Sequence, residues 1–166
     1  RTLSAAETAY HPLSYHRGSV WPHDNSLIAM GLARAGQGAA AARIAAGLFT
    51  AAAFDRERRL PELFGGFPAD VEGPVWYPVA CIPQAWAAAA PFLLLQAALG
   101  LEVDALRGHI ALAPTLPEGI NRVTVDNLAV GRRRLRIEVA RTGNADEVDV
   151  DVQVLVGEPV SVSVLT

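Results

Sequence analysis

The chain has 166 residues, of which 51% are hydrophobic and 19% are charged, and its formal net charge is -3. This length and apolar content favour a folded protein over a disordered segment. The slight negative charge argues against nucleic acid as the main partner. The single cysteine, Cys81, excludes an internal disulfide framework and a cysteine-rich zinc site. The most apolar run, 85–95, contains Pro91 and is too short to span a membrane, and no signal peptide is visible, so we expect a cytoplasmic protein.

The first hundred residues have the pattern of helices and long loops. Apolar residues at helical spacing predict three helices, at 25–35, 38–54 and 83–99. We expect Asp24 or Asn25 to cap the first helix and Gly36 to end it. Pro83 suits the first turn of the third helix, and Pro91 should kink that helix or mark irregular turns.

The connection between the second and third helices, 56–82, is unusually long. Loops of this length in a compact domain are typically either functional or disordered. Its large apolar side chains are Leu60, Phe64, Phe67, Trp76 and Tyr77. So many apolar groups favour a packed and ordered loop.

The remaining residues alternate between apolar and polar, as strands do. Gly143-Asn144 is a two-residue hairpin signal between two such runs. It predicts the pairs Thr142–Ala145, Val139–Val148, Ile137–Val150 and Leu135–Val152, with Arg136 opposite Asp151 on the other face. Further strands are predicted at 109–113, 121–127 and 159–165. We expect a small antiparallel β-sandwich or sheet.

The triplet Arg132 to Arg134 has two interpretations. It could form a patch for nucleic acid, or it could be a solvated strand end that faces acidic neighbours. The overall acidic charge favours the second.

Polar and aromatic residues should gather at one rim of the helices. A short connection makes the first two helices an antiparallel hairpin, so the start of helix one, the long loop and the start of helix three lie at the same side. The residues expected there are Trp21, His23, Asp24, Glu62, Gln84 and Trp86. Indoles can stack on sugar rings while Asp, His and Gln bond sugar hydroxyls, which favours a carbohydrate site. A Trp in such a place is as often part of the core as a platform.

Glu62 stands among apolar residues in the stretch LPELFGG, 60–66. A carboxylate in such surroundings needs a partner or a catalytic purpose. It could form a salt bridge with Arg58 or Arg59. It could also be a general base that activates water for glycoside hydrolysis.

Three histidines, His11, His16 and His23, raise the alternative of metal-assisted hydrolysis. Their spacings match no short ligand motif. We therefore predict no metal and no other cofactor. His23 is expected to bond a sugar hydroxyl, and His16 to make hydrogen bonds within its loop.

Three stretches resemble a known family. They are SYHRGSVWPHDNSLIAMGL from residue 14, LPELFGGF from residue 60, and YPVACIPQAWAAAAPFLLLQAALGL from residue 77. In this order they resemble the motifs of bacterial glycogen-debranching-type proteins, the amylo-α-1,6-glucosidase family, over about residues 1–101. The departures are His11 where that family usually has Asn, Gly65 where it has Cys, and Ala89 where it has Gly.

The resemblance implies an (α/α)6 toroid and an inverting reaction that uses two carboxylates. By motif position Glu62 resembles the general base, and Trp21, His23 and Asp24 resemble sugar contacts. The β-rich tail resembles the small C-terminal domain of several toroid glycosidases. The full set of candidate substrate-binding residues is Tyr15, His16, Trp21, His23, Asp24, Gln84 and Trp86.

The predicted fold class is thus α+β, with part of a toroid, about three helices, at 1–101 and a small antiparallel β domain at 102–166. The general acid would lie upstream, because no second carboxylate is a convincing partner for Glu62. We expect the C-terminal part of a glycosidase that acts on α-glucosidic linkages of glycogen-like glucans, α-1,6 branches first among them, and that is inactive alone. The alternatives are a non-catalytic carbohydrate-binding or structural fragment, and a related α-glucosidase or mannosylglycerate hydrolase. Helix faces without partners predict self-association or pairing with the missing N-terminal part of the toroid.

Overall fold

The computed structural model describes residues 1–68, 73–143 and 147–165. It has three helices, α1 (Pro22–Arg34), α2 (Gly38–Ala53) and α3 (Ala85–Leu99), and they are followed by strands only. The predicted α+β order, three helices and then a small β region, is confirmed. No helix among these residues is both long and apolar enough to cross a membrane.

The start of α1 differs from the prediction. The residue before the helix is Trp21, which makes no side-chain cap, and Pro22 occupies the first helical position. Proline favours that position because its φ is already helical and it has no N–H to satisfy. Asp24 and Asn25 therefore lie inside the first turn, so neither is the cap. The predicted end is correct: Gly36 has φ of 74° and its N–H bonds Ala33 O.

The start of α3 also lies later than predicted. Pro83 precedes the helix and is joined to Ile82 by a cis peptide bond. Gln84 is extended, and its side-chain oxygen accepts a hydrogen bond from the Ala85 N–H at 3.1 Å. The helix begins only at Ala85, so Pro83 is not in its first turn. Pro91 lies inside a continuous helix that runs to Leu99.

The three helices pack against one another over a core of small residues. The connection 35–37 lets α2 fold back along α1, and α3 packs against both. The buried core of this region consists of Ala29, Ala41, Ala45, Leu48, Leu60, Phe64, Ala87, Ala90, Leu94 and Ala97. Alanine at the contacts allows the helix axes to approach closely. Leu60 and Phe64 come from the long loop, which is thereby fixed to the helices.

The part of the chain that the structure describes contains six strands in two three-stranded sheets. They are β1 (Glu102–Asp104), β2 (His109–Leu112), β3 (Arg122–Val130), β4 (Arg133–Arg141), β5 (Val148–Val156) and β6 (Ser161–Val164). The sheet orders are β1-β2-β6 and β3-β4-β5. All pairs are antiparallel except β2 with β6, which is parallel. The predicted antiparallel pairing is therefore found in three of these four strand pairs, while β6 runs in the same direction as β2.

The register of β4 with β5 is shifted by two residues from the prediction. The observed pairs are Leu135–Val154, Ile137–Val152, Val139–Val150 and Arg141–Val148. The Thr142 N–H bonds Glu147 O at 3.0 Å. The predicted Thr142–Ala145 pair includes Ala145, which lies outside the described residues. A shift of two keeps every side chain on its face, so apolar residues still meet.

The shift changes the polar pairs. Arg136 lies opposite Gln153, not Asp151, and its Nη1 is 3.5 Å from Asp126 Oδ2. Arg133 pairs with Glu158 at 3.4 Å. This contact fits a strand end that faces an acidic neighbour.

A second core lies between the sheets. Its buried members are Leu99, Leu101, Ile110, Leu112, Leu116, Val130, Leu135, Ile137 and Val139. Leu99 belongs to the last turn of α3, so the end of that helix is packed with the strands. The boundary at 101–102 remains a prediction.

Candidate functional site

The stretch 60–66 is buried along its whole length, although it is neither helix nor regular strand. Phe64 forms antiparallel bridges with Val20 on one side and Trp76 on the other. The Val20 N–H bonds Phe64 O at 2.9 Å, and the Phe64 N–H bonds Val20 O at 2.8 Å. The segment before α1 and both arms of the long loop are therefore held together as three short extended pieces. The expectation of a packed, ordered loop is confirmed for this part, while 69–72 lie outside the described residues.

Two glycines allow these pieces to approach closely. A Cβ on Gly66 would lie 1.8 Å from Gly18 O, and one on Gly18 would lie 2.4 Å from His11 O. The Gly66 N–H bonds Pro12 O at 2.8 Å, and the Tyr10 hydroxyl donates to Gly66 O. No other residue type fits such a backbone contact without moving it.

Glu62 is the one buried ionisable side chain among the described residues, with 6% of its surface exposed. The Tyr15 hydroxyl donates a hydrogen bond to Oε1. The Cys81 N–H donates to Oε2 at 3.2 Å, and the Glu62 N–H bonds Cys81 O at 3.0 Å. Each carboxylate oxygen thus has one donor from a different segment of the chain.

The alternative of a salt bridge from Glu62 to Arg58 or Arg59 is wrong. Arg59 pairs with Glu57 at 3.1 Å, and the Arg58 guanidinium donates to Ala53 O. Glu62 instead satisfies its charge with neutral donors, which is a less common solution for a buried carboxylate.

These contacts keep Glu62 ionised. The hydrogen bond from Tyr15, followed by that from the Cys81 N–H, holds the pKa of Glu62 below its usual range, although burial opposes them. The same hydrogen bond is the main cause that raises the pKa of Tyr15 to about 12. At neutral pH the pair is therefore a carboxylate and a protonated phenol, and Glu62 is able to accept a proton.

Tyr15, which donates to this carboxylate, belongs to a connected set of aromatic rings; we call Tyr15, His16, Trp21, His23, Tyr77 and Trp86 the aromatic wall. The Tyr15 ring meets Trp21 edge-on with centroids 4.6 Å apart, His16 at 4.8 Å and Tyr77 at 5.9 Å. His16 stacks on Trp21 at 5.9 Å, His23 stacks on Trp86 at 5.7 Å, and Trp21 lies 6.5 Å from Trp86. The contact of His23 with Trp86 brings the starts of α1 and α3 to the same side.

The two tryptophans of the aromatic wall differ in exposure. Trp21 is 8% exposed, and its indole N–H bonds both Tyr15 O and Ser19 Oγ at 3.0 Å. Trp86 is 44% exposed. Of the two, Trp86 is accessible to a ligand, whereas the buried Trp21 packs against neighbouring side chains.

Two predicted site residues, Asp24 and Gln84, make no hydrogen bond with Glu62 in the part of the chain that the structure describes. Asp24 is exposed in the first turn of α1. The side chain of Gln84 is used to cap α3. Within the described residues, no hydrogen bond or ring contact joins either of them to the aromatic wall, and their roles in sugar binding remain predictions.

The sequence did not single out three residues that build the site. Ser19 is fully buried and donates to Tyr15 O at 2.6 Å. Cys81 acts through its backbone, and Tyr77 through its ring. Tyr77 and Cys81 lie in the quoted stretch that begins at residue 77, so the only available signal was the motif itself.

The described residues contain no group of three or more His, Cys, Asp or Glu side chains arranged to hold a metal. The His11 ring accepts a hydrogen bond from the Leu13 N–H at 3.2 Å. A cleft of about 1060 Å³ lies between α2 and residues 114–119, and no member of the aromatic wall lines it.

Comparison of the chain with protein-family models and with curated proteins found no match. The family resemblance therefore depends on the three quoted stretches alone.

Proposed function

We propose that this chain supplies the general base and part of the sugar pocket of a glycoside hydrolase. The substrate class is α-glucosidic linkages of glycogen-like glucans, with α-1,6 branches as the first candidate. The observation that supports it best is Glu62, a buried, ionised carboxylate beside an aromatic wall. The three motif stretches supply the substrate class.

In this proposal Glu62 accepts a proton from a water molecule. The water oxygen forms a bond to the anomeric carbon from the face opposite the leaving group, and the glycosidic C–O bond breaks. A general acid protonates the leaving oxygen, so the products are two sugars with free hydroxyls and the anomeric centre is inverted. The acid would stand about 6.5–9.5 Å from the base, on a segment upstream of this chain.

Trp86 is the proposed sugar platform. Its indole stacks on His23 and remains 44% exposed, and we propose that this exposed surface contacts the apolar side of a sugar ring. His23, Asp24 and Gln84 are proposed to bond hydroxyls at this end of the pocket. His16 is proposed to contact sugar at the opposite side of Tyr15.

A second candidate is a carbohydrate-binding fragment without catalytic activity. The observation that favours it is that Glu62 has no second buried carboxylate beside it among the described residues. One carboxylate can bind a hydroxyl but cannot supply both acid and base. We propose that the isolated chain behaves in this way.

The helix faces suggest a partner for the isolated chain. Leu27 and Ile28 on α1 are 53% and 54% exposed, and Phe92 on α3 is 76% exposed. We propose that the remaining helices of a toroid cover these side chains, or that the isolated chain self-associates through them. The proposed compartment is the cytoplasm.

The test of the base is Glu62→Gln in the whole protein that contains this chain. Loss of a general base should lower kcat by about 10²–10⁴-fold on branched dextrins, with binding of maltooligosaccharides retained. Glu57→Gln is the matched control, because Glu57 lies in the same loop and its carboxylate pairs with Arg59 at the surface. Near-normal turnover by Glu62→Gln would refute the assignment, and turnover by the isolated 166-residue chain would refute the upstream acid.

A further inference from the structure

Tyr15 is held more firmly than a surface tyrosine normally is. Its carbonyl oxygen accepts hydrogen bonds from Ser19 Oγ at 2.6 Å and from Trp21 Nε1 at 3.0 Å. Ser19 Oγ also accepts from the same indole N–H at 3.0 Å. The ring is packed edge-on against Trp21 at 4.6 Å. Backbone and ring are thus fixed together, which fixes the phenol oxygen in turn.

That phenol oxygen reaches Glu62 across 47 residues of sequence. A hydroxyl can donate one hydrogen bond, and the Tyr15 hydroxyl donates it to Glu62 Oε1. The single N–H of Trp21 is likewise used inside the protein. Neither side chain has a donor left for a sugar hydroxyl, so direct binding is not what their hydrogen bonds serve.

We infer that Tyr15 is the positioning residue of Glu62, and that Ser19 and Trp21 act through Tyr15 rather than on the substrate. This inference rests on the proposed function, in which Glu62 is the base. In this arrangement Tyr15 sets the orientation of the carboxylate, and Ser19 and Trp21 hold Tyr15 in place. The Cys81 N–H holds the second oxygen.

The arrangement has a chemical consequence for the base. A carboxylate has two lone-pair directions on each oxygen. The Tyr15 hydroxyl uses one on Oε1 and the Cys81 N–H uses one on Oε2, while the Cys81 thiol also bonds this carboxylate and lowers its pKa. With four directions and these three donors, the carboxylate can still accept from a water molecule. The carboxylate is thus already oriented before it accepts the proton. Such preorganisation contributes to catalysis because the surrounding groups do not have to rearrange during the reaction.

The decisive variant is Tyr15→Phe, which removes one oxygen and keeps the ring. The pKa of the Glu62 carboxyl, measured by carbon-detected NMR titration of the 166-residue chain, should rise toward its ordinary value. In the reciprocal experiment, Glu62→Gln should lower the pKa of Tyr15 from about 12, as followed by ultraviolet absorbance. Neither experiment needs catalytic activity.

Tyr10→Phe is the matched control. It deletes a phenol hydrogen bond in the same loop, but one that ends on Gly66 O instead of a carboxylate. It should leave the pKa of Glu62 unchanged. Ser19→Ala should raise that pKa in the same direction as Tyr15→Phe but less, since it loosens Tyr15 without removing the donor.

An unchanged pKa of Glu62 in folded Tyr15→Phe would overturn the inference. A rise in Tyr15→Phe with none in Ser19→Ala would overturn the part that concerns Ser19 and Trp21. In the whole protein, Tyr15→Phe should lower kcat by about ten- to a hundredfold with KM nearly unchanged, and should move the acidic limb of the pH profile to higher pH. If Glu62→Gln remained active while Tyr15→Phe still shifted the pKa, the proposed function would fail and the positioning contact would stand.

Discussion

The helical region and the strand region build their cores from different residues. Six of the ten buried core residues of the helical region are alanine, and the others include two from the long loop, Leu60 and Phe64. The core of the strand region contains only Leu, Ile and Val. The helices are close because their contacts are small, whereas the sheets are held apart by large side chains that fill the space between them.

The two regions also differ in what else they bury. The buried polar side chains of the described residues are Ser19, Ser26 and Glu62, and all belong to the helical region. Burying a polar side chain costs free energy unless the side chain has a hydrogen-bond partner. The comparison therefore places the candidate site in the helical region, while the buried side chains of the strand region are apolar.

The strongest test of this division is a cavity in the strand core. Ile137 is fully buried in β4, so Ile137→Ala should lower the free energy of unfolding by about 2–5 kcal/mol. Chemical denaturation followed by circular dichroism measures it. The pKa of Glu62 in the folded variant should not move. A shift in that pKa would mean that the two regions are not independent.

The strands were predictable because their pattern is periodic. Alternation fixed which residues of β4 and β5 face the core, and Ile137, Val139 and their partners do so. The exact pairing was missed by two residues, since it depends on the length of the loop and not on periodicity. β1 was missed altogether, because three residues are too few for a period to show.

The site was predictable only in outline. Although the predicted helix starts were inexact, the short connection between the first two helices was enough to place His23 and Trp86 on the same side. No local pattern could show that Tyr15 contacts Glu62, since this contact depends on how two non-periodic segments pair through Val20 and Phe64. For the same reason the sequence could not decide whether Trp21 is a sugar platform or a core residue.

A smaller effect is expected from adding a side chain at the close contact between Gly66 and Gly18. Gly66→Ala would place its Cβ 1.8 Å from Gly18 O, and such overpacking should lower the free energy of unfolding by about 1–3 kcal/mol. It should also raise the pKa of Glu62, because the loop that carries Glu62 must move. Thermal unfolding and the NMR titration measure the two effects.

Gly31→Ala is the control in the same region. A Cβ on Gly31, inside α1, would meet nothing within 4 Å. Because alanine is the better helix former, the free energy of unfolding of this variant should rise by up to about 1 kcal/mol. If both variants behaved alike, backbone proximity at Gly66 would not be what the site requires.

The smallest effect is the dependence of stability on pH. The pKa of Glu62 is lower in the folded chain than in the unfolded chain, where it is about 4.3. As the pH falls, the unfolded chain binds this proton first, so Glu62 contributes stability above its unfolded pKa and loses that contribution as the pH falls through its folded pKa. Glu62→Gln should therefore flatten the acidic limb of a plot of unfolding free energy against pH, measured with urea.

Asp104 provides the matching test in the strand region. Backbone hydrogen bonding from Arg107 lowers its pKa too, so Asp104→Asn should change the slope in the same direction. Asp104 is partly exposed and its partner Arg107 is largely exposed, and solvent screening should make the change smaller. A larger change for Asp104→Asn than for Glu62→Gln would mean that the buried contact with Tyr15 contributes less to folding than an exposed turn does. The difference between the two regions would then lie in their apolar cores alone.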